Sequence, residues 1–191
     1  MKKLIFIAAA AVALVAFKPV ENATWKLDKA HAKLGFTVTH LMVSDVEGWF
    51  KSFDATITST KEDFSDAVVE MSADISSINT DNEQRDTHLK SPDFFDAAKY
   101  ATLTFKSKSF KKVKDNMYKV TGDLTMHGVT KSVELDAVAR MGTNPMSKKT
   151  VAGFKISGTL KRSDFAIGAS MPTAVVSEEV ALIANAEFAK N

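Results

Sequence analysis

The sequence predicts an all-β fold, an antiparallel sheet of about eight strands that curls or closes on itself, with one short helical insertion. Three observations carry this. Apolar side chains recur at every second position along most of the chain, which is the period of a strand with one buried face. The segments between these runs are short and rich in turn-forming residues. Only one stretch carries the signals of a helix start and stop.

The strands follow in order. Leu34, Phe36 and Val38 alternate with Gly35, Thr37 and Thr39, and His40 ends this run on the Val38 face. Phe53, Ala55 and Ile57 alternate with polar residues, as do Val69, Met71 and Ala73. Leu103 and Phe105 share a face, and so do Tyr118, Val120 and Leu124. Val133, Leu135 and Ala137 form the next run, followed by Phe154, Ile156 and Leu160. A last strand, Glu179 to Phe188, puts Val180, Leu182, Ala184 and Phe188 on one side. Met126-His127-Gly128-Val129 predicts a two-residue hairpin, with Gly128 free to take positive φ. Lys114-Asp115-Asn116 and Met141 to Pro145 predict further turns. Thr80-Asp81-Asn82-Glu83 reads as a capping box with Thr80 as N-cap. The helix it starts is expected to run to about Lys90 and to stop at Ser91-Pro92. Asp93-Phe94-Phe95-Asp96 then forms a turn with two large apolar side chains.

The N-terminus reads as an address. Lys2 and Lys3 precede an apolar run from Leu4 to Phe17, shorter than the roughly 20 residues a spanning helix needs. This predicts a secretory signal peptide over residues 1–23, a domain over 24–191 and a periplasmic location. An uncleaved anchor is the alternative. Cleavage between Phe17 and Ala23 leaves a net charge near zero, against +2 for the whole chain. A balanced charge gives nucleic acid little to hold. The absence of cysteine excludes disulfides, thiol nucleophiles and cysteine-ligated metals.

An eight-stranded barrel is just wide enough to be packed by its own side chains or to hold one small ligand. The inward set Phe36, Val38, Phe53, Ile57, Leu103, Phe105, Val120, Leu124, Phe154 and Ile156 either fills a solid core or lines an apolar cavity. Periodicity leaves both open. Arg85, Asp86 and His88 lie within one helical turn, with Arg85, His88 and Leu89 on a shared face. Arg85 and His88 are candidates for holding a polar ligand head, and His88 with Asp86 for acid–base chemistry. Alternatively, Asp86 and Lys90 form a surface pair and Arg85 ties the helix to the sheet. His31, His40, His88 and His127 show no metal-ligand spacing, and no serine stands in a nucleophile elbow. The run Lys106, Lys108, Lys111, Lys112 and Lys114 is either a solvated strand end or a transient contact with an acidic membrane.

These features occur together in a distinctive order. Trp25-x-Leu27-Asp28-x-x-His31 is followed by Phe36-x-Val38-x-His40-Leu41 and Val46-x-Gly48-x-Phe50. Ser77-Ile78-x-Thr80, Arg85-Asp86-x-His88-Leu89 and Ser91-x-Asp93-Phe94-Phe95-Asp96 come next, then Thr104-Phe105-x-Ser107. Gly122-Asp123-Leu124-Thr125-Met126-His127-Gly128-Val129-Thr130-Lys131 and Arg162-x-Asp164-Phe165 complete the series. The chain resembles the YceI-like family of polyisoprenoid-binding periplasmic proteins over nearly its whole length. The resemblance implies an extended lipocalin-like barrel enclosing a long apolar cavity, and so favours the hollow reading. It implies a bound isoprenoid-type lipid, such as a quinone or polyprenyl phosphate, with its head near a barrel opening close to Arg85, Asp86 and His88. It implies a binding protein without cofactor, metal or catalytic residues, whose partner is a hydrophobic lipid and which is compatible with a homodimer. The rivals are an enzyme using His88 and Asp86 on such a lipid, and a cavity-free protein-interaction scaffold. Three positions depart from the family pattern: Ala32 after His31, Ala101 after Tyr100, and Ala166 after Asp164-Phe165. The last bears on the backbone near a cavity mouth.

Overall fold

The computed structural model describes residues 22–191. The expected signal segment lies outside them except for Asn22 and Ala23. The strands are β1 (Ala23–His40), β2 (Ser44–Phe50), β3 (Phe53–Ser59), β4 (Val68–Asp74), β5 (Ile78–Asn79), β6 (Thr102–Lys114), β7 (Met117–Met126), β8 (Val129–Thr143), β9 (Thr150–Lys161) and β10 (Glu179–Lys190). One helix, α1, spans Glu83–Lys90.

Eight strands close a ring in the order β1-β3-β4-β6-β7-β8-β9-β10, because β10 returns to pair antiparallel with β1 from Trp25↔Lys190 to Thr37↔Ala181. Closure removes the open edges a sheet of this length would otherwise expose. The other edge of β1 is shared. Its first residues, Ala23 to Lys26, pair with β3, and Leu34 to His40 pair with β2. β2 then pairs with β5, so the barrel flares at the end where β1 finishes.

The β7–β8 hairpin has the expected two-residue turn, with φ of 51° at His127 and 73° at Gly128. A Cβ on Gly128 would stand 2.6 Å from Cε1 of Tyr100, so the turn needs glycine for space as well as for angle. The turn expected at Met141 to Pro145 starts later, since β8 runs on to Thr143.

The helix begins two residues after the predicted cap. Asn82 is the N-cap, its side chain accepting from the Arg85 amide at 2.9 Å. Thr80 is occupied elsewhere: its amide and hydroxyl both donate to Asp86 Oδ1, at 2.8 and 2.6 Å. Asp81, at φ 58°, turns the chain between them. Asp86 is therefore buried, which overturns its alternative assignment to a surface pair with Lys90.

One end of the barrel is solid. Phe64, 1% exposed, tucks in from the β3–β4 loop against Trp25 and Phe154, with ring centroids 5.2 and 5.1 Å apart. Phe154 also meets Phe110 and Phe188 edge-on. Tyr118 packs at a tilt against Phe110 and donates its hydroxyl to the Asp63 carbonyl at 2.8 Å. The loop carrying Phe64 is folded inward by Asp66, which accepts from the hydroxyls of Ser59 and Thr60 and from the amides of Thr60 and Lys61. Those donors, the Ser59 hydroxyl foremost, hold the Asp66 carboxyl well below the usual carboxylate range. The lysine-rich run at the end of β6 lies at this solid end, beside the β6–β7 turn.

A carboxylate with a depressed folded-state pKa stabilises the fold above its unfolded value, and that contribution fades as pH falls. Asp66→Asn is therefore expected to lower the thermal midpoint at about pH 7 and to have a smaller effect below about pH 4. Thermal melts followed by circular dichroism across that range check it.

Candidate functional site

The other half of the barrel is hollow, with an internal cavity of about 320 Å³. On β1, β4, β6, β7, β9 and β10 the inward residues nearer the flared end form its wall. β1 contributes Leu34, Phe36, Val38 and His40, β6 Leu103, and β7 Leu124 and Met126. β9 contributes Leu160 and β10 Val180 and Leu182. Phe50 of β2 and the post-helix pair Phe94 and Phe95 cover the side where the sheet flares, Phe95 meeting Phe50 edge-on at 6.1 Å.

Four of the ten predicted apolar residues thus border the cavity: Phe36, Val38, Leu103 and Leu124. The other six do not, and the reason is longitudinal. Alternation reports which face a residue is on, not how far along the barrel it lies. Ile57, Val120 and Phe154 face inward at the solid end, buried in the aromatic core, and Ile156 packs against that core. Phe105 is buried in the core and does not border the cavity. Its ring lies over Gly122, where a Cβ would stand 2.5 Å from Phe105 Cζ. A glycine on β7 leaves room for that ring. Phe53, at the bend between β2 and β3, borders a shallow outer groove with Lys29, Lys33 and Trp49.

Among the polar candidates, Arg85 and His88 border the cavity and Asp86 does not. Arg85 donates from Nε to the Thr80 hydroxyl and from Nη2 to the Thr80 carbonyl, both at 2.7 Å. It therefore ties the helix to the segment after β5 while bordering the cavity. His88 Nε2 lies 3.4 Å from Asp93, and its ring meets Phe94 edge-on at 5.0 Å. The carboxylate of Asp86 is held by Thr80, so no His88–Asp86 acid–base pair is assembled.

Sequence reasoning missed the segment that covers the mouth. Residues 166–178 are irregular, without a period to read, yet Ile167, Met171, Val175 and Val176 all border the cavity. Arg162, 6% exposed, holds the segment in place. Its guanidinium donates to five backbone carbonyls: Ile167, Gly168, Met171, Val176 and Ser177. Glu178 approaches Arg162 at 3.9 Å and accepts from the amide and hydroxyl of Ser163; the hydroxyl is the main cause of its lowered pKa. Ala166 takes φ 55°, a conformation that suits glycine better, at the departure from the family pattern. The one sequence clue to this hub was the Arg162-x-Asp164-Phe165 motif.

The polar residues bordering the cavity are His40, Arg85, His88, Lys161 and Arg162, with Lys161 exposed at the outer edge beside the inward Leu160, and no carboxylate is among them. Among the described residues no group of three or more His, Asp or Glu is placed to hold a metal. Fold and site together define a closed antiparallel barrel, packed at one end and opening an apolar, cation-edged cavity at the other. This is an architecture suited to enclosing a small apolar guest.

The signature of the YceI-like domain matches residues 25–188, and the chain belongs to that family. It is 40% identical over 168 residues to protein YceI of Escherichia coli O17:K52:H18, an alignment covering 86% of each chain. The Campylobacter jejuni YCEI crystal structure superposes with a TM-score of 0.73 at 36% identity, covering 86% of this chain and 96% of that one. A polyisoprenoid binding domain from Saccharophagus degradans shares the fold, with a TM-score of 0.66 at 16% identity over 87% of this chain and 98% of that one.

Replacing Arg162 with Met keeps the volume and removes the donors of five buried or half-buried carbonyls. It is expected to destabilise the fold by about 3 kcal/mol or more, because unmade hydrogen bonds to a charged donor cost the acceptors their solvation. Urea unfolding of the variant checks this.

Proposed function

We propose that the protein is an exported lipid-binding protein. It holds an isoprenoid-type amphiphile with the tail in the barrel and an anionic head, of the polyprenyl phosphate class rather than the quinone class, at the mouth. The carrying observation is the charge of the cavity wall: apolar throughout, with polar positions that are cationic or histidine and none acidic. Arg85 Nη1 makes no hydrogen bond, and Lys161 no ion pair, among the described residues. Both suit a phosphate, which gains charge-assisted hydrogen bonds that a quinone carbonyl does not. The polyisoprenoid-binding neighbour supports the tail, and the Lys2-Lys3 start with its apolar run supports export to the periplasm.

Binding rather than turnover fits the site, since the carboxylate best placed by sequence, Asp86, is used to build the helix start. The energetics suit a carrier. A methylene buried from water gains about 0.8 kcal/mol, but a lipid tail already dry in a membrane exchanges into a dry barrel at nearly no cost. The wall then need only match the bilayer, while the cations select the head.

Mass spectrometry of organic extracts from protein purified from its own host tests the reading. A stoichiometric lipid with an anionic head is expected; no co-purifying lipid, together with no uptake of a fluorescent isoprenoid phosphate, would sink it. Lys161→Ala is expected to weaken binding of an isoprenoid phosphate about tenfold, a loss of roughly 1.4 kcal/mol, and to leave the matched isoprenoid alcohol unchanged. Competition titration with the two ligands reads the difference. The cavity of 320 Å³ takes about ten groups of roughly 30 Å³ each, the size of a water molecule, so longer tails press on its walls. Phe36→Ala, which enlarges the cavity from its wall, is expected to shift preference toward longer tails, read as the ratio of affinities across a series of increasing isoprene number.

A further inference from the structure

We propose that the β1–β2 turn, Leu41-Met42-Val43, is a membrane-docking tip that seats the cavity mouth on a bilayer surface. The proposal rests on the lipid-binding reading above. The three side chains are 53, 77 and 81% exposed, three consecutive bulky apolar residues in open solvent. Local structure does not account for them. The Val43 amide bonds the His40 carbonyl at 3.1 Å, closing a β-turn whose two central residues, Leu41 and Met42, sit at φ 50° and 59°. Such turns favour Asn and Gly, and bulky apolar residues there lose stability relative to that pair. Residues that break a local rule at a surface position need a gain elsewhere.

The gain is suggested by where the tip lies. His40, immediately before it, borders the cavity, and the tip is stitched to the mouth segment. Leu41 N donates to the Val175 carbonyl at 2.9 Å and Ser177 N to the Thr39 carbonyl at 2.9 Å, with a bridge between His40 and Val176. From Gly168 to Ser177 and from Leu41 to Ser44 there is no charged side chain, in a chain that is 25% charged. One rim of the mouth is therefore uncharged and apolar, and it continues into the apolar wall. That is the surface a dry bilayer interior accepts. The solid end, since Phe64 and its neighbours block it, offers a tail no route. It exposes Val113, Met117, Met141 and Met146, but interspersed with Lys111, Lys112, Lys114, Lys148 and Lys149. A tail crossing from bilayer to barrel through water would be disfavoured about fourfold for every methylene wetted. A seated mouth avoids that crossing.

The test uses the full mature chain, phosphatidylcholine vesicles carrying a fluorescent isoprenoid phosphate, and two variants. Leu41→Asp/Met42→Asp/Val43→Asp puts charge on the tip. Leu41→Asn/Met42→Gly removes its two leading apolar side chains while installing the preferred turn pair, so it is expected to fold and to melt at or above the wild-type midpoint. Both variants are expected to slow uptake from vesicles at least tenfold and to lose flotation with empty vesicles. Both are expected to bind the same lipid from dilute detergent with unchanged affinity. Raising NaCl to about 0.5 M is expected to change the wild-type vesicle rate less than twofold, because the contact is not electrostatic. Vesicle rates unchanged in the folded variants overturn the proposal. So does a wild-type rate abolished by salt, which would place docking at the lysine-rich end. Loss of detergent binding along with vesicle uptake also overturns it, since the tip would then act inside the cavity. Wild-type protein that takes up no lipid even from detergent fails the lipid-binding reading itself, and the docking role with it.

Discussion

Closure of the sheet is the constraint on which everything else depends. Once β10 pairs with β1 over most of its length, every inward residue of eight strands is committed to one shared interior. An interior of that width must be filled by side chains or by something else. This barrel does both. The aromatic cluster around Phe64 and Phe154 fills one half, and apolar side chains line a cavity in the other. The two halves divide the work: the packed end holds the fold together, which lets the other end leave its wall uncovered.

Most of the strands were legible because alternation is a local consequence of pleating. The β7–β8 hairpin at His127-Gly128 was legible for the same kind of reason, a backbone angle that few residues adopt. What the sequence could not tell is the position of a residue along the barrel axis. Phe36 and Phe154 carry the same signal, yet one borders the cavity and the other is buried in the aromatic core. Phe64 was illegible for a different reason. It stands between charged and polar residues in a loop, and only the hydrogen bonds gathered by Asp66 turn it inward. The helix cap was misread because Thr80 satisfies the spacing of a capping box while its hydroxyl is taken by a buried carboxylate.

The polar side of the site follows from a second economy. A barrel mouth needs irregular chain, and irregular chain leaves backbone carbonyls unpaired. Arg162 answers five of them with one guanidinium. Arg85 does similar work at the helix start, bonding both the hydroxyl and the carbonyl of Thr80. Both cations are there for structural reasons, and both border the cavity. A positive mouth is thus partly a by-product of holding the mouth's backbone, and a ligand with an anionic head uses a field the fold already maintains.

That dual use constrains how the site could vary. A carboxylate introduced on the wall would meet Arg85 or Arg162 and compete for donors that the helix start and the mouth segment require. Changes of head-group preference are therefore easier at Lys161 and His88, which border the cavity without holding backbone in place, than at the two arginines. Changes of tail preference are easier at Phe36, which borders the cavity, than deeper in, because Phe154 is bound into a cluster with Phe64, Phe110 and Phe188, and its loss would open a cavity among them. The barrel thus separates positions that can vary from positions that cannot along the same axis that separates hollow from filled.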